Sequence, residues 1–172
     1  SNDVYLKTGK TITISGKLTF NGYVATITPE NYADNVDAPV LATDNGITLS
    51  EQVRGKFKVT KYNNNNNVVT TITETGCLKN TLNDAENLNA DLYDICSTIN
   101  VSSADGMYAI SYLSQKNDEV DGKTFKDKTI ILEDNIELRF DYKLIKTFSG
   151  VFDGNNKIIK LNKPEEYNGN YL

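Results

Sequence analysis

The sequence predicts a mainly β fold with a minor helical part: an N-terminal antiparallel, sandwich-like β-domain, a helical connector, and a C-terminal series of short strands that fit the coils of a solenoid. Three observations carry this. Apolar residues make up 38% of the chain and fall in short runs broken by Thr, Asn, Asp and Gly, which is how turn-rich β-proteins are written. Alternation of period two dominates both ends of the chain. Between them the period changes to that of a helix. A length of 172 residues suits one large domain or two small ones, and the change of period divides it into a β-domain over 1–80 and a helical connector or cap plus coil-forming strands over 81–172.

In the first segment, Thr11 to Phe20 places Ile12, Ile14, Leu18 and Phe20 on one face. Asn21-Gly22 supplies the residue pair favoured in a type I′ turn. A two-residue hairpin there sets Phe20 opposite Tyr23, Leu18 opposite Ala25 and Gly16 opposite Ile27, so turn and alternation predict the same antiparallel register. A weaker unit surrounds Asn45-Gly46, with Val40 and Leu41 before it and Ile47 and Leu49 after it; Pro39 marks a loop or an edge. Lys56 to Thr60 and Val68 to Thr73 read as further strands. The five asparagines from Asn63 to Asn67 read as a surface loop joining them.

Leu88, Leu92, Ile95 and Ile99 recur at helical spacing, with Asp84, Glu86 and Asp91 at the end where the helix dipole favours negative charge. A second helix begins at Ser102 or Ser103 as N-cap, turns Met107, Ile110, Leu113 and Ala109 inward, and stops in Asn117-Asp118-Glu119. After Gly122 the strands resume: Thr129 to Leu132; Ile136, Leu138 and Phe140 in alternation beyond Asp134-Asn135; and Ile158, Ile159 and Leu161 beyond the turn-rich stretch Phe148 to Asn156.

Composition excludes several chemistries. The chain has no histidine, which removes the usual zinc sites and every His-based triad. A net charge of −5 repels phosphate backbones and anionic headgroups, so nucleic acid is not an expected partner. No run approaches the roughly 20 apolar residues of a membrane helix, so no membrane insertion is expected. Ser1-Asn2-Asp3 has neither the basic nor the apolar region of a signal peptide, and any secretion signal precedes this numbering. Cys77 and Cys96 suit a disulfide or two separate thiols equally.

Carboxylates are the remaining catalytic candidates, and Asp134, Glu137, Asp141 and Asp153 sit near the coils. Glycoside hydrolysis needs two of them facing each other across a substrate, and single strands with their turns do not establish that; solvated turn residues are the preferred reading, with no catalytic residue assigned. Asp153-Gly154-Asn155 and Asp118-Glu119-Asp121 lack the spacing of an EF-hand loop or a calcium-binding nonapeptide, so no metal and no cofactor is expected. Ten tyrosines include Tyr5, Tyr23, Tyr32 and Tyr62 as candidates for stacking on sugars, against the plainer reading of strand residues with one wet end. Asn100-Val101-Ser102 is formally a glycosylation sequon and is treated as chance.

Several stretches occur in an order that resembles a group of bacterial surface proteins. Ser103 to Leu113 is followed by Gly122-Lys123-Thr124-Phe125, then Leu132-Glu133-Asp134-Asn135-Ile136-Glu137-Leu138, then Phe148-Ser149-Gly150-Val151-Phe152-Asp153-Gly154-Asn155-Asn156. In such proteins a helix precedes motifs of this form, and the last opens a right-handed parallel β-helix, often with GLUG-type repeats. The resemblance covers 102–161. The stretches Thr11 to Leu18 and Ala25 to Tyr32 are similar to a β-domain that sometimes precedes that helix. Asn155-Asn156 stands where the pattern usually has Asn-Gly.

The resemblance implies a non-catalytic, adhesin-like binding or scaffold region, extracellular or at the cell surface, whose partners are glycans or other host or environmental polymers. Its rivals are an accessory region of a β-helix glycoside hydrolase or lyase, and a structural stalk. Physically, Gly150 and Gly154 are expected to take backbone angles that strain other residues, and Phe148 and Phe152 to fill the interior of a coil. Only one or two coils fit before Leu172, whereas stacked repeats need about three to bury a core, so the chain is expected to be a fragment or to have its last coil covered.

Overall fold

The computed structural model describes residues 2–33, 38–115 and 122–162. They are mainly strands: twelve β-strands and three α-helices. Two compact units emerge, one of residues 1–83 with 91–97, the other of 84–90 with 98–172.

In the first unit, β1 (Asn2–Leu6), β3 (Ala25–Pro29) and β5 (Phe57–Val59) form one sheet, and β2 (Ile12–Ile14) pairs with β4 (Leu41–Thr43). Both sets are parallel. For these five strands the antiparallel, hairpin-built arrangement expected from the sequence is not what forms. Asn21-Gly22 closes no hairpin: only Gly22 of the two has positive φ, at 128°, where a type I′ turn needs it at both. Phe20, expected on the buried face, is exposed. The physical reason is that alternation reports which side chains point inward but not which way the neighbouring strand runs. The inward set Ala25, Ile27 and Pro29 is satisfied by parallel neighbours, Val4 and Val59 flanking Ile27 and Asn2 and Phe57 flanking Ala25. Asn45 and Gly46 do both adopt positive φ, yet β4 on their N-terminal side pairs with β2 and not across the turn.

The core of this unit gathers Leu6, Ile14, Ile27, Leu41, Phe57 and Leu78. After a one-turn helix, α1 (Glu51–Arg54) capped by Ser50, and the asparagine loop, β6 (Val68–Ile72) and β7 (Leu78–Leu82) form an antiparallel hairpin. In the loop, Asn63 and Asn64 take the left-handed conformation that asparagine tolerates. Asn80 is fully buried, and its amide is accounted for on both sides: Oδ1 accepts from Thr70 Oγ1 at 2.6 Å, and Nδ2 donates to the Tyr32 carbonyl and, at 3.0 Å, to that of Ile95. Cys96 is buried and Cys77 half-buried, and no disulfide joins them.

The single helix expected through Leu88, Leu92, Ile95 and Ile99 does not form. A 3-10 turn over Ala85–Asn87, whose Glu86 N–H is capped by Asp84, passes into an extended Leu88; α2 (Ala90–Ile95) follows, and Ile99 lies on β8 (Thr98–Val101). Four apolar residues three or four apart fit a turn, a short helix and a strand as well as one helix, and Thr98, Ile99 and Val101 are β-branched.

The second unit holds α3 (Ala104–Ser114), which starts where expected: Ser103 Oγ accepts from Gly106 N at 3.1 Å. Met107, Ile110 and Leu113 are buried and Ala109 is half-buried. The helix ends at Ser114, ahead of Asn117-Asp118-Glu119, which lie outside the described residues.

Beyond it, β9 (Thr129–Leu132) lies parallel between β8 and β11 (Val151–Asp153), and β10 (Ile136–Leu138) is parallel to β12 (Ile159–Leu161). Thus β9, a turn and β10 stack on β11, a turn and β12, at offsets of 22 and 23 residues. Like sits on like: Ile99, Ile130 and Phe152 share a register position, as do Ile136 with Ile159 and Leu138 with Leu161. Burial falls along the stack. Ile130, Leu132, Ile136 and Leu138 are buried, whereas Val151, Phe152, Ile158, Ile159 and Leu161 are exposed.

One polar atom of β8 tests this packing. Asn100 Oδ1 is buried with no hydrogen-bond partner among the described residues, a cost of about 1–3 kcal/mol. Asn100→Val is therefore expected to stabilise the protein by about 1 kcal/mol, read as a higher urea midpoint at unchanged slope. A lower midpoint would mean that the amide is satisfied.

Candidate functional site

A cleft in the second unit lies between α3 and the irregular segment 139–144. Its volume is about 580 Å³, and it is lined by Tyr108, Ser111, Tyr112, Gln115, Arg139, Asp141 and Lys143. Residues 108, 111 and 112 recur at helical spacing along one side of α3, and Gln115 follows as its C-cap. Some of these residues hold the opposite wall. The Arg139 amide donates to Tyr108 Oη at 3.3 Å, Gln115 Nε2 donates to the Leu144 carbonyl at 2.8 Å, and Ser111 Oγ donates to the Lys143 carbonyl. Ser114 adds a fourth tie, its Oγ accepting from Lys146 N at 3.1 Å. A segment outside the strands is thereby tied to α3 and its C-cap.

The aromatic part is ordered in the same way. Tyr108 and Tyr142 pack with ring centroids 5.4 Å apart, and Tyr142 Oη donates to the Met107 carbonyl at 3.3 Å. Burial pushes the Tyr142 phenol above its ordinary pKa, so it stays a neutral donor. Tyr112 is half exposed in the cleft. At the rim, Arg139 pairs with Asp141 at 3.0 Å, and both are largely solvated, so the pair aligns groups more than it stabilises the fold.

The residues singled out from sequence are elsewhere or otherwise engaged. Glu137 pairs with Lys160 at 3.0 Å, and that hydrogen bond holds its carboxyl below the usual range. Asp134 Oδ1 accepts from the Asn135 amide and Asp153 Oδ1 from the Asn155 amide, which are turn contacts. Only Asp141 reaches the cleft. Asp118-Glu119-Asp121 lie outside the described residues. Among the described residues no group of three or more His, Cys, Asp or Glu is placed to hold a metal ion.

The four candidate tyrosines form no common platform. Tyr5 donates to Glu30, Tyr23 carries the Lys58 ammonium 3.9 Å above its ring, and Tyr32 packs edge-on against Tyr62. Sequence reasoning missed Tyr108 and Tyr112, although their spacing of four on a helix was a usable signal; 139–144 has no periodicity to read.

Comparison of the chain with protein-family models, with curated proteins and with solved structures gave no match. The class that the fold defines is therefore a mainly β protein built largely on parallel strands. No helix among the described residues is long and apolar enough to cross a membrane.

Proposed function

We propose that this chain is a non-catalytic binding or scaffold region of a secreted or surface-displayed bacterial protein, built from coils of a right-handed parallel β-helix. The observation that carries the reading is the stacking of β9–turn–β10 on β11–turn–β12 with like residues in register. Repeats that stack in this way bury their interior against their neighbours, and they build extended surfaces suited to display. The turns stack too: Asn155 Nδ2 donates to the Leu132 carbonyl at 3.0 Å, and Asn135 Oδ1 accepts from Ile158 N at 2.9 Å.

The parallel pairs β1–β3 and β2–β4 repeat the scheme in the first unit, so a β-helix accounts for that unit better than a sandwich does. The right hand follows the strong preference of parallel crossovers. Local turn and ion-pair contacts at Asp134, Glu137, Asp141 and Asp153 support a non-catalytic role. Placement outside the cell rests on the motif resemblance of 102–161.

Antibodies to this chain are expected to label intact producing bacteria as strongly as lysed ones; labelling only after lysis overturns the surface reading. A glycan array then separates binding from spacing. Reproducible hits support a binding region, and a blank array supports a stalk.

A further inference from the structure

We propose that the cleft between α3 and residues 139–144 binds an oligosaccharide carrying carboxylate groups, with Tyr112 as the stacking platform and Arg139 and Lys143 facing the anion. This rests on the reading of the chain as a binding region and names a ligand class for it.

The first argument is shape. About 580 Å³ lies within the range of small-molecule sites, which combine apolar walls with a few placed polar groups. The second is the kind of wall. A sugar ring has an apolar C–H face and a rim of hydroxyls, and it is met by an aromatic face beside planar hydrogen-bonding groups. Tyr112 offers the ring, and Arg139, Asp141 and Gln115 offer the planar groups.

The third is charge. The chain as a whole carries −5, yet among the described residues that line the cleft Arg139 and Lys143 outnumber Asp141. Such a local excess suits a sparse carboxylate on a mostly hydroxylated ligand and not a dense polyanion, which the overall field repels. The fourth is preorganisation. The ties from Tyr108, Ser111, Gln115 and Ser114 fix the backbone of 139–146 without a ligand, so little ordering remains to oppose binding.

The test titrates the whole chain with a galacturonate trisaccharide and, separately, with maltotriose, a neutral sugar of the same length, following backbone amides by NMR. The galacturonate trisaccharide is expected to shift amides in 108–115 and 139–144, with affinity falling as salt rises. Tyr112→Ala and Arg139→Gln are each expected to weaken it about tenfold while leaving circular dichroism unchanged. Maltotriose is expected to bind at least about tenfold more weakly.

Equal binding of maltotriose overturns the carboxylate preference. Shifts confined to other residues, or unaffected by the two substitutions, overturn the cleft and leave the binding reading standing. No shift with either sugar overturns the assigned ligand class; removal of the binding reading itself requires, in addition, a blank array.

Discussion

Gly76→Ala is expected to unfold the first unit at temperatures where the parent chain is folded. Gly76 sits in the turn between β6 and β7 at φ 81°, a conformation that costs a residue with a side chain about 1–2 kcal/mol. The larger effect is steric. A methyl group at this position meets the Leu41 carbonyl, with its carbon at 2.9 Å and its oxygen nearer still, and the Pro39 side chain at 3.2 Å. The obstacle is backbone and cannot swing aside. The Gly76 carbonyl accepts from Val40 N at 2.9 Å and from Leu41 N at 3.2 Å, so displacing the turn breaks both bonds and lifts the fully buried Leu41 out of the core.

The sum is on the order of 4 kcal/mol, in the range reserved for core disruption, and corresponds to a fall in Tm on the order of 20 °C. Gly46→Ala is the control. Gly46 has nearly the same angle, φ 74°, with nothing within 4 Å of an added methyl, so about 1–2 kcal/mol is expected. Thermal melts of the two variants check this, and equal losses would show that the close approach to Leu41 is not a feature of the folded protein.

That close approach also marks the limit of what was legible beforehand. Strands over Ile12–Ile14, Phe57–Val59, Val68–Ile72, Thr129–Leu132 and Ile136–Leu138 were readable because alternation and β-branching are local properties. The cap at Ser103 was readable for the same reason. Pairing direction was not. Whether Ala25–Pro29 meets Thr11–Phe20 through a tight turn or lies alongside Asn2–Leu6 depends on residues far apart in sequence, and Asn21-Gly22 gave a strong local hint toward the wrong partner. Ile99 was misplaced because an apolar residue at helical spacing is also an ordinary inward strand residue. The cleft was the least legible feature, since its far wall depends on side chains of α3 bonding to backbone about thirty residues later.

The two glycines of the Phe148 to Asn156 stretch, read alike from sequence as residues with special backbone angles, are expected to respond differently to substitution. Neither has positive φ; the left-handed residues of that stretch are Asn155 and Asn156, where asparagine serves in place of glycine. Gly150 is required for space. A methyl there meets the Phe125 and Lys128 carbonyls, the second at 2.7 Å, and the Phe148 ring at 3.2 Å. The chain is pinned on both sides, Ser149 N donating to the Thr124 carbonyl and Val151 N to that of Lys128, each at 2.8 Å. Phe125 is itself fully buried at φ 57° and stacks on Phe148 at 5.9 Å, so it has little room to yield.

Gly150→Ala therefore has to break the bond that starts β11 on β9, at a cost of about 3 kcal/mol. Gly154 has open space around it, and Gly154→Ala is expected to lie within about 0.5 kcal/mol of the parent. Amide hydrogen exchange distinguishes the local consequence from a global one: Gly150→Ala is expected to strip protection from Val151 and Phe152 first, because the β9–β11 ladder opens before the buried β8–β9 ladder. If Gly154→Ala proves the more damaging of the two, the register that places β11 beside β9 is wrong, and the stacked-coil account of the second unit goes with it.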